Sequence, residues 1–504
     1  MLGSRTILLG WCVLCFVALA TGAEPPASVR KLAQTIDHHV AARCTEEKVA
    51  LVGRSTDAEF LRRAYLDVTG AIPPVAEVRR FLADPAPDKR TVLIDRLLAG
   101  PGYVRHASAR WRELLSPDDA ERQQPALAAL ETWLQRQFAN DVPYDQLARA
   151  VLTLSLAETP LRPGAAGNEP TPRLFYLGRE NKPDELAAAM TRRFLGVRLE
   201  CAQCHNHPHA KWTRADFWSQ AAFFVSLRQG KDARELMIPG EDRKVAARFL
   251  DGAALPADAA DARQALAGWL TAADNPYFAR AAVNRLWEQF FGVGLVDPVD
   301  DLIAENPPSH PALLDELARE FVAVRFDLKF VTRAIMLSET YQRTSVESRA
   351  GAAPDPRLFS RMNVKALTPA ELLDSLIEAT AYRAPNLARQ RAALLARFPQ
   401  SDRRLEGQSS IPQALALMNG ELLAAAIRPD GDNTLAALLA SPFLDTDARV
   451  EALFLAALSR PPRADEKARL VKYVTSGGAS GNTEKALGDV FWALLNSAEF
   501  IHNH

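Results

Sequence analysis

Along most of the chain apolar residues return every three or four positions, the period of a helix with one buried face. The first such stripe runs through Ser28–Leu51. A second begins near Asp57, sets Phe60, Leu61, Ala64, Tyr65 and Val68 on one side, and stops at Gly70. Pro73-Pro74 opens a third, because the amide a proline lacks has no partner in a first turn; Val75, Val78 and Leu82 form its stripe. Asp84–Asp88 reads as a turn, Val92–Leu98 as another helix, and Gly100-Pro101-Gly102 as a break. Farther on, Asn275-Pro276 is an N-cap with an N1 proline, and Phe278, Ala282, Leu286 and Phe290 line one face up to Gly292. New helices start after Ser309 and Asp327; Ser309-His310-Pro311 caps a stripe of Leu313, Leu314, Leu317 and Phe321. Regularly spaced β-rich runs are absent from the sequence. The pattern predicts an all-α fold of two helical domains, built from helix–Pro-Pro–helix units, with little or no sheet.

Periodicity fades over Gln229–Pro256, where Gly230, Pro239-Gly240 and Gly252 mark a linker. The expected organisation is a signal peptide at 1–23, a helical domain at 24–228, a linker and lead-in helix at 229–272, and a second helical domain at 273–504. Leu161–Pro172 reads as a loop and Asn386–Ser410 as a solvated basic connection. Ala64-Tyr65-Leu66, Ile72-Pro73-Pro74 and Glu77 are weakly echoed by Leu453-Phe454-Leu455, Arg460-Pro461-Pro462 and Glu466, which ordinary helix punctuation explains.

Composition narrows the class. The chain has 504 residues, 48% hydrophobic and 24% charged, which fits neither wholesale disorder nor a multi-span membrane protein. Lys and Arg number 60 against 61 Asp and Glu, so the net charge of −1 gives no reason to expect nucleic acid or an anionic bilayer as partner. Arg5, the apolar run Ile7–Ala20 and the small residues up to Ala23 have the make-up of a secretory signal, which predicts an exported, periplasmic or cell-envelope protein with no membrane span after cleavage. Cys12 and Cys15 fall within that signal; Cys44, Cys201 and Cys204 remain, too few for a disulfide scaffold.

Cys201-Ala202-Gln203-Cys204-His205 is Cys-x-x-Cys-His, the spacing at which two thioethers fix a haem c and the adjacent histidine reaches its iron. Leu186, Met190, Phe194, Val197, Cys201 and Cys204 follow one another at helical intervals, so both thiols are expected to prolong the apolar face of a helix starting near Pro183-Asp184. Thr213-Arg214-Ala215-Asp216 resembles a capping box, with Trp218, Ala221, Ala222 and Val225 facing inward behind it. Cys201, Cys204 and His205 are therefore the expected cofactor-binding residues, with His205 the proximal iron ligand. His207 reads as a propionate contact or a loop cap, and Arg198, Lys211 and Trp212 as donors for propionates or as ordinary surface. For the sixth ligand the candidates are Met418 and His310, followed by Met336 and Met362; Met190 is expected in the core. An open iron is the other possibility, and it separates a haem enzyme from an electron carrier.

Two colourless alternatives stand beside haem: zinc held by Cys201, Cys204, His205 and His207 or His209, and a short Cys201–Cys204 disulfide. Either would make the protein an interaction scaffold for an exported partner. No nucleophile elbow, Walker loop or His-Glu-x-x-His motif is present, so a hydrolase has no support.

The sequence resembles the planctomycete-type cytochrome-like domain followed by a planctomycete domain of unknown function. The first half carries the resemblance through Phe60–Gly70, Val142-Pro143-Tyr144-Asp145 and Phe194–His205. The second does so through Asn275–Arg280, Asn284-Arg285, Phe291–Val296, Asn306–Pro311 and Trp492–Ser497. What the resemblance implies is an exported protein named for its haem-type motif, without a substrate. Asn206 and His209-Ala210 stand where Asp and Phe-Asp are common in that family. The chain has one Cys-x-x-Cys-His, so a multi-haem wire within it is not expected.

Overall fold

The computed structural model describes residues 26–117, 123–156, 170–230, 233–346, 354–383, 391 and 421–504. The signal-like segment, most of the Leu161–Pro172 loop, nearly all of Asn386–Ser410, and Met418 lie outside the described residues. The fold is all-α: 61% of it is helical, and the described residues hold two two-stranded antiparallel sheets.

The caps fall where their chemistry puts them. Ala27–Glu46 buries Val29, Leu32, Ile36, Val40 and Cys44 along one face. It ends before Leu51, because Lys48 takes a left-handed backbone (φ 57°). Thr56 caps Asp57–Thr69 by accepting from the Glu59 amide, and Gly70 closes that helix at φ 73°. Gly100-Pro101 separates two helices but also begins the second: Pro101 is the first residue of Pro101–Leu115, directly after Lys89–Ala99. Asn275 Oδ1 accepts from the amides of Tyr277 and Phe278, both at 3.0 Å, and starts Phe278–Phe291, which Gly292 ends.

A single apolar cluster runs from Val29 to Met362 and takes in Leu455. It crosses the 229–272 stretch without interruption, since Leu236, Ile238, Phe249, Leu250 and Leu266 all belong to it. The stretch expected as a linker carries a hairpin, Glu235–Met237 against Lys244–Ala246, with Leu236 opposite Val245. Tyr144 stacks on Phe278 at 4.7 Å with their planes 5° apart, which joins the two halves by an aromatic pair contributing ~1 kcal/mol beyond its buried area. A second cluster joins Leu66 and Ile72 to the helices between Pro369 and Ile501.

Asp57–Thr69 lies between both clusters, which explains its most unusual feature, three buried charges. Arg62 donates to the carbonyls of Ala457 and Phe500, and Arg63 to those of Tyr341 and Arg343 and to Glu59. Asp67 accepts from Lys365 Nζ (2.7 Å), Tyr341 Oη (2.8 Å) and Asn503 Nδ2 (2.8 Å). Each buried charge thus meets an opposite charge or several dipoles, the condition for keeping it ionised away from water.

Candidate functional site

The helix that leads to the motif, Pro183–Met190, does not continue to the cysteines. After Met190 the chain widens into a π turn, Thr191–Leu195, and Gly196 then reverses it at φ 65°. Thr191 Oγ1 donates to the Ala187 carbonyl (3.0 Å), a back-bond that loosens a helix at that point. Arg285 donates to the carbonyls of Arg192 and Arg193, which the wider turn leaves available. Leu186, Met190, Phe194 and Val197 are buried as expected, but Cys201 and Cys204 are exposed. The apolar face is already filled by the core when the motif begins, so the expectation that both thiols extend it is corrected.

The motif opens on a 3-10 turn, Leu199–Ala202. Residues three apart eclipse in such a turn, so Leu199 and Ala202 share the inner side and are buried while Cys201 points away. Behind it, the Gln203 carbonyl accepts from Trp218 Nε1 (3.1 Å) and Gln203 Nε2 donates to Asp184. Asn206 Oδ1 accepts from the Arg214 amide (3.0 Å), and Thr213 and Asp216 form the expected capping box. Arg214 then reaches Glu241 and the Pro239 carbonyl, so the hairpin in the 229–272 stretch braces the motif.

The three histidines differ in what their rings do. His205 is exposed, and its Nδ1 lies 2.7 Å from the Asn206 carbonyl. A carbonyl only accepts, so Nδ1 carries the proton and Nε2 of the neutral ring keeps its lone pair outward. His207 Nδ1 accepts from the amides of His209 (3.1 Å) and Ala210 (2.9 Å), which makes it a loop cap. His209 is exposed.

Of the three expected propionate donors, Arg198 is already held by a carboxylate. Arg198 donates from Nε (2.7 Å) to Asp300 and pairs through its second nitrogen (2.6 Å) with the same oxygen, while Arg192 holds the other oxygen. Burial raises the Asp300 carboxyl, but the two guanidinium groups outweigh it and hold the group below the usual carboxylate range. Lys211 lies over the Trp212 ring at 4.8 Å, and Trp212 is buried with its Nε1 unpartnered. Beside them is a cavity of about 190 Å³, lined by Lys211, Trp212, Gln220, Arg248 and Asp251 among others. Burial and then the Glu200 carboxylate push the Cys201 thiol up, so it is protonated at neutral pH.

His310 sits elsewhere. It is buried at the start of Pro311–Ala323, with Nδ1 3.0 Å from Ser309 Oγ and its ring on Phe359, among Arg43, His39 and Arg357. Met336 and Met362 are buried in the main cluster. None of these three contacts the motif through a hydrogen bond, ion pair or ring contact.

Two exposed free thiols followed by a histidine with an outward lone pair fit covalent haem attachment. The apolar helix face that was expected to carry both thiols ends before them, so the fit is one of attachment residues on an open surface. Among the described residues no group of three or more His, Cys, Asp and Glu side chains is arranged to hold a metal ion. No helix of the described residues is long and apolar enough to cross a membrane.

Asp300 lies 102 residues from Arg198 and carries no local signal; Arg214 stands in the sequence only within the capping string Thr213–Asp216, and Asn206 only as a departure from the family pattern. Comparison with curated proteins and with solved structures finds no match. Family models do match: PSCyt2, a protein of unknown function (DUF1549), over residues 35–229, and PSD1, a protein of unknown function (DUF1553), over residues 262–390. The motif falls in the first and Asp300 in the second. In that order they identify the chain as one of the proteins in which the planctomycete cytochrome-like domain is followed by the planctomycete domain of unknown function.

Proposed function

We propose that Cys201, Cys204 and His205 form a covalent haem-attachment site on an exported protein, and that this protein exchanges electrons with an exported partner. The observation that carries this reading is the His205 ring, whose Nδ1 is committed to the Asn206 carbonyl so that Nε2 is presented for a metal, beside two free exposed thiols. Cys201 and Cys204 would hold the porphyrin through thioethers, and His205 Nε2 would face the iron. Bound haem supplies one-electron transfer. The chain's own contribution is to fix the segment against Asp184, Trp218 and Arg214, so the attachment points do not drift. Export rests on the signal-like composition of residues 1–23.

The test is expression with export in a host that matures c-type haem, followed by a pyridine haemochrome spectrum beside Cys201→Ala/Cys204→Ala. A thioether-type spectrum in the parent and none in the variant is the expected result. Colourless protein from a competent host refutes it, and bound zinc or a Cys201–Cys204 disulfide would then point to a scaffold. Carbon monoxide binding to the reduced haem protein would identify an open iron in place of a six-coordinate carrier.

A further inference from the structure

Beside Trp212 the fold leaves buried hydrogen-bonding capacity unused. Trp212 is 6% exposed, and its Nε1 meets no partner. Gln220 is 1% exposed, and its Nε2 donates to the Arg248 carbonyl. A carbonyl only accepts, so the amide nitrogen faces it and Oε1 is the atom left without a partner. Both side chains line the cavity of about 190 Å³, which at about 30 Å³ per water is the space of about six waters. Native folds leave few buried polar groups unanswered, and here a donor and an acceptor share one cavity.

The rest of the lining narrows the occupant. Lys211 and Arg248 bring two positive charges, Asp216 and Asp251 two negative ones, so no net charge draws an ion into the cavity. Both carboxylates are already in use: Asp216 accepts from the Thr213 amide and hydroxyl, and Asp251 from the Ala253 amide and Trp269 Nε1. An ammonium ligand would compete with those bonds, and it answers Gln220 but not Trp212. A carboxylate or phosphate answers Trp212 but turns lone pairs towards Gln220. A hydroxyl both accepts and donates, so a ligand that carries several of them answers both. Phe249 and Leu250 add an apolar wall that suits the carbon-bound hydrogens of a small ring.

We propose that this cavity binds a neutral polyhydroxylated molecule of monosaccharide size, with Trp212 Nε1 donating to one hydroxyl and Gln220 Oε1 accepting from another. Lys211, which is exposed and has no ion pair among the described residues, adds a further donor. The Trp212 carbonyl accepts from the His207 amide at 2.8 Å, so the residue that meets the ligand also holds the loop after His205. The proposal goes beyond the haem reading and does not rest on it.

The experiment uses the exported full-length protein with isotopically labelled tryptophan and follows its indole N–H resonances. D-glucose, D-galactose, D-mannose and D-xylose are added in turn, each to about 50 mM, well above the dissociation constant of about 1 mM expected for a ligand of this size. At least one sugar is expected to move, saturably, the resonance that is missing from Trp212→Phe. D-galacturonate and L-serine, of similar or smaller size but charged, are expected to bind at least about tenfold more weakly. By calorimetry, Trp212→Phe keeps a ring, removes the donor and is expected to weaken the sugar about tenfold, and Lys211→Met about threefold. A resonance that no sugar moves, as for a cavity that holds water only, overturns the proposal. So does tighter binding of galacturonate or serine, or an unchanged constant in Trp212→Phe. Should that variant fail to fold, an unchanged constant in Lys211→Met, an exposed position, overturns it equally. The calorimetric readings do not require haem.

Discussion

Lys365→Met tests whether the buried charges of Asp57–Thr69 hold the two cores together. Lys365 Nζ has three hydrogens and three acceptors: Asp67 Oδ1 (2.7 Å), the Phe290 carbonyl (2.7 Å) and the Gln289 carbonyl (3.0 Å). Its side chain is 1% exposed and that of Asp67 2%, so water replaces none of these bonds. Methionine keeps the length of the stem and removes the charge. Asp67 then retains only Tyr341 and Asn503 as donors to its carboxylate, and two carbonyls in the last turn of Phe278–Phe291 lose the cation there. Leaving one member of a buried pair uncompensated costs about 3–5 kcal/mol, a large share of the roughly 5–15 kcal/mol that folded proteins possess. With a urea slope of about 3 kcal/mol per molar, the midpoint should fall by about 1–1.7 M, read by tryptophan fluorescence and circular dichroism together to check for a single transition. Asp67→Asn/Lys365→Met removes both charges and should lose clearly less than the sum of the single variants. A Lys365→Met midpoint within about 0.3 M of the parent, or strict additivity in the double variant, would refute the reasoning.

Three further outcomes follow from the same structure. Burial, with help from Arg43, His39 and Arg357, lowers the His310 pKa to about 4 from 6.5. The unfolded chain therefore binds the proton more readily, so this contribution is complete above about pH 6.5 and lost as pH falls towards 4; between pH 7 and pH 5 it amounts to about 2 kcal/mol. Urea unfolding of His310→Gln at both pH values should show a correspondingly smaller difference, and an undiminished difference would contradict the assignment. Gly196→Ala combines a left-handed backbone with a 2.6 Å approach to Leu302, and should destabilise by about 2 kcal/mol or more in the same assay; a neutral result would mean that the Leu302 loop yields. Cys201→Ala/Cys204→Ala should leave stability within about 0.5 kcal/mol, because both thiols are exposed; a larger loss would assign them a packing role.

Where a cap and a stripe coincide, the helices were legible: Asn275, Asp327 and Thr213 each start the helix their chemistry announces. The interval from Leu186 to Cys204 misled, because regular spacing of apolar residues is blind to a π turn and to a left-handed glycine that resets the phase. The Glu235–Met237 hairpin was missed because three-residue strands with one buried side chain are too short to show alternation. Arg62, Arg63 and Asp67 read as polar positions of an amphipathic helix, yet a helix enclosed by two cores has no solvent face. Cys201, Cys204 and His205 stand out by type and spacing; their exposure, and the pairing of Arg198 with Asp300, arise from contacts that sequence order does not encode.

The strings that carry the family resemblance are, with few exceptions, occupied by structural work. Arg62, Arg63 and Asp67 bind across both cores, and Tyr144 stacks against the second domain. Asn284 brackets Val296 through both its amide and its carbonyl, and Ser497 caps the last helix. Even within the motif Leu199 and Ala202 fill the core, Gln203 is anchored on three sides and His207 caps its own loop. Against that background Cys201 and Cys204 are exposed and form no disulfide, and His205 uses one nitrogen to fix its ring and leaves the other free of it. A side chain held rigidly from behind by both domains, yet given nothing to do by the fold, is one whose task lies with a reactant from outside.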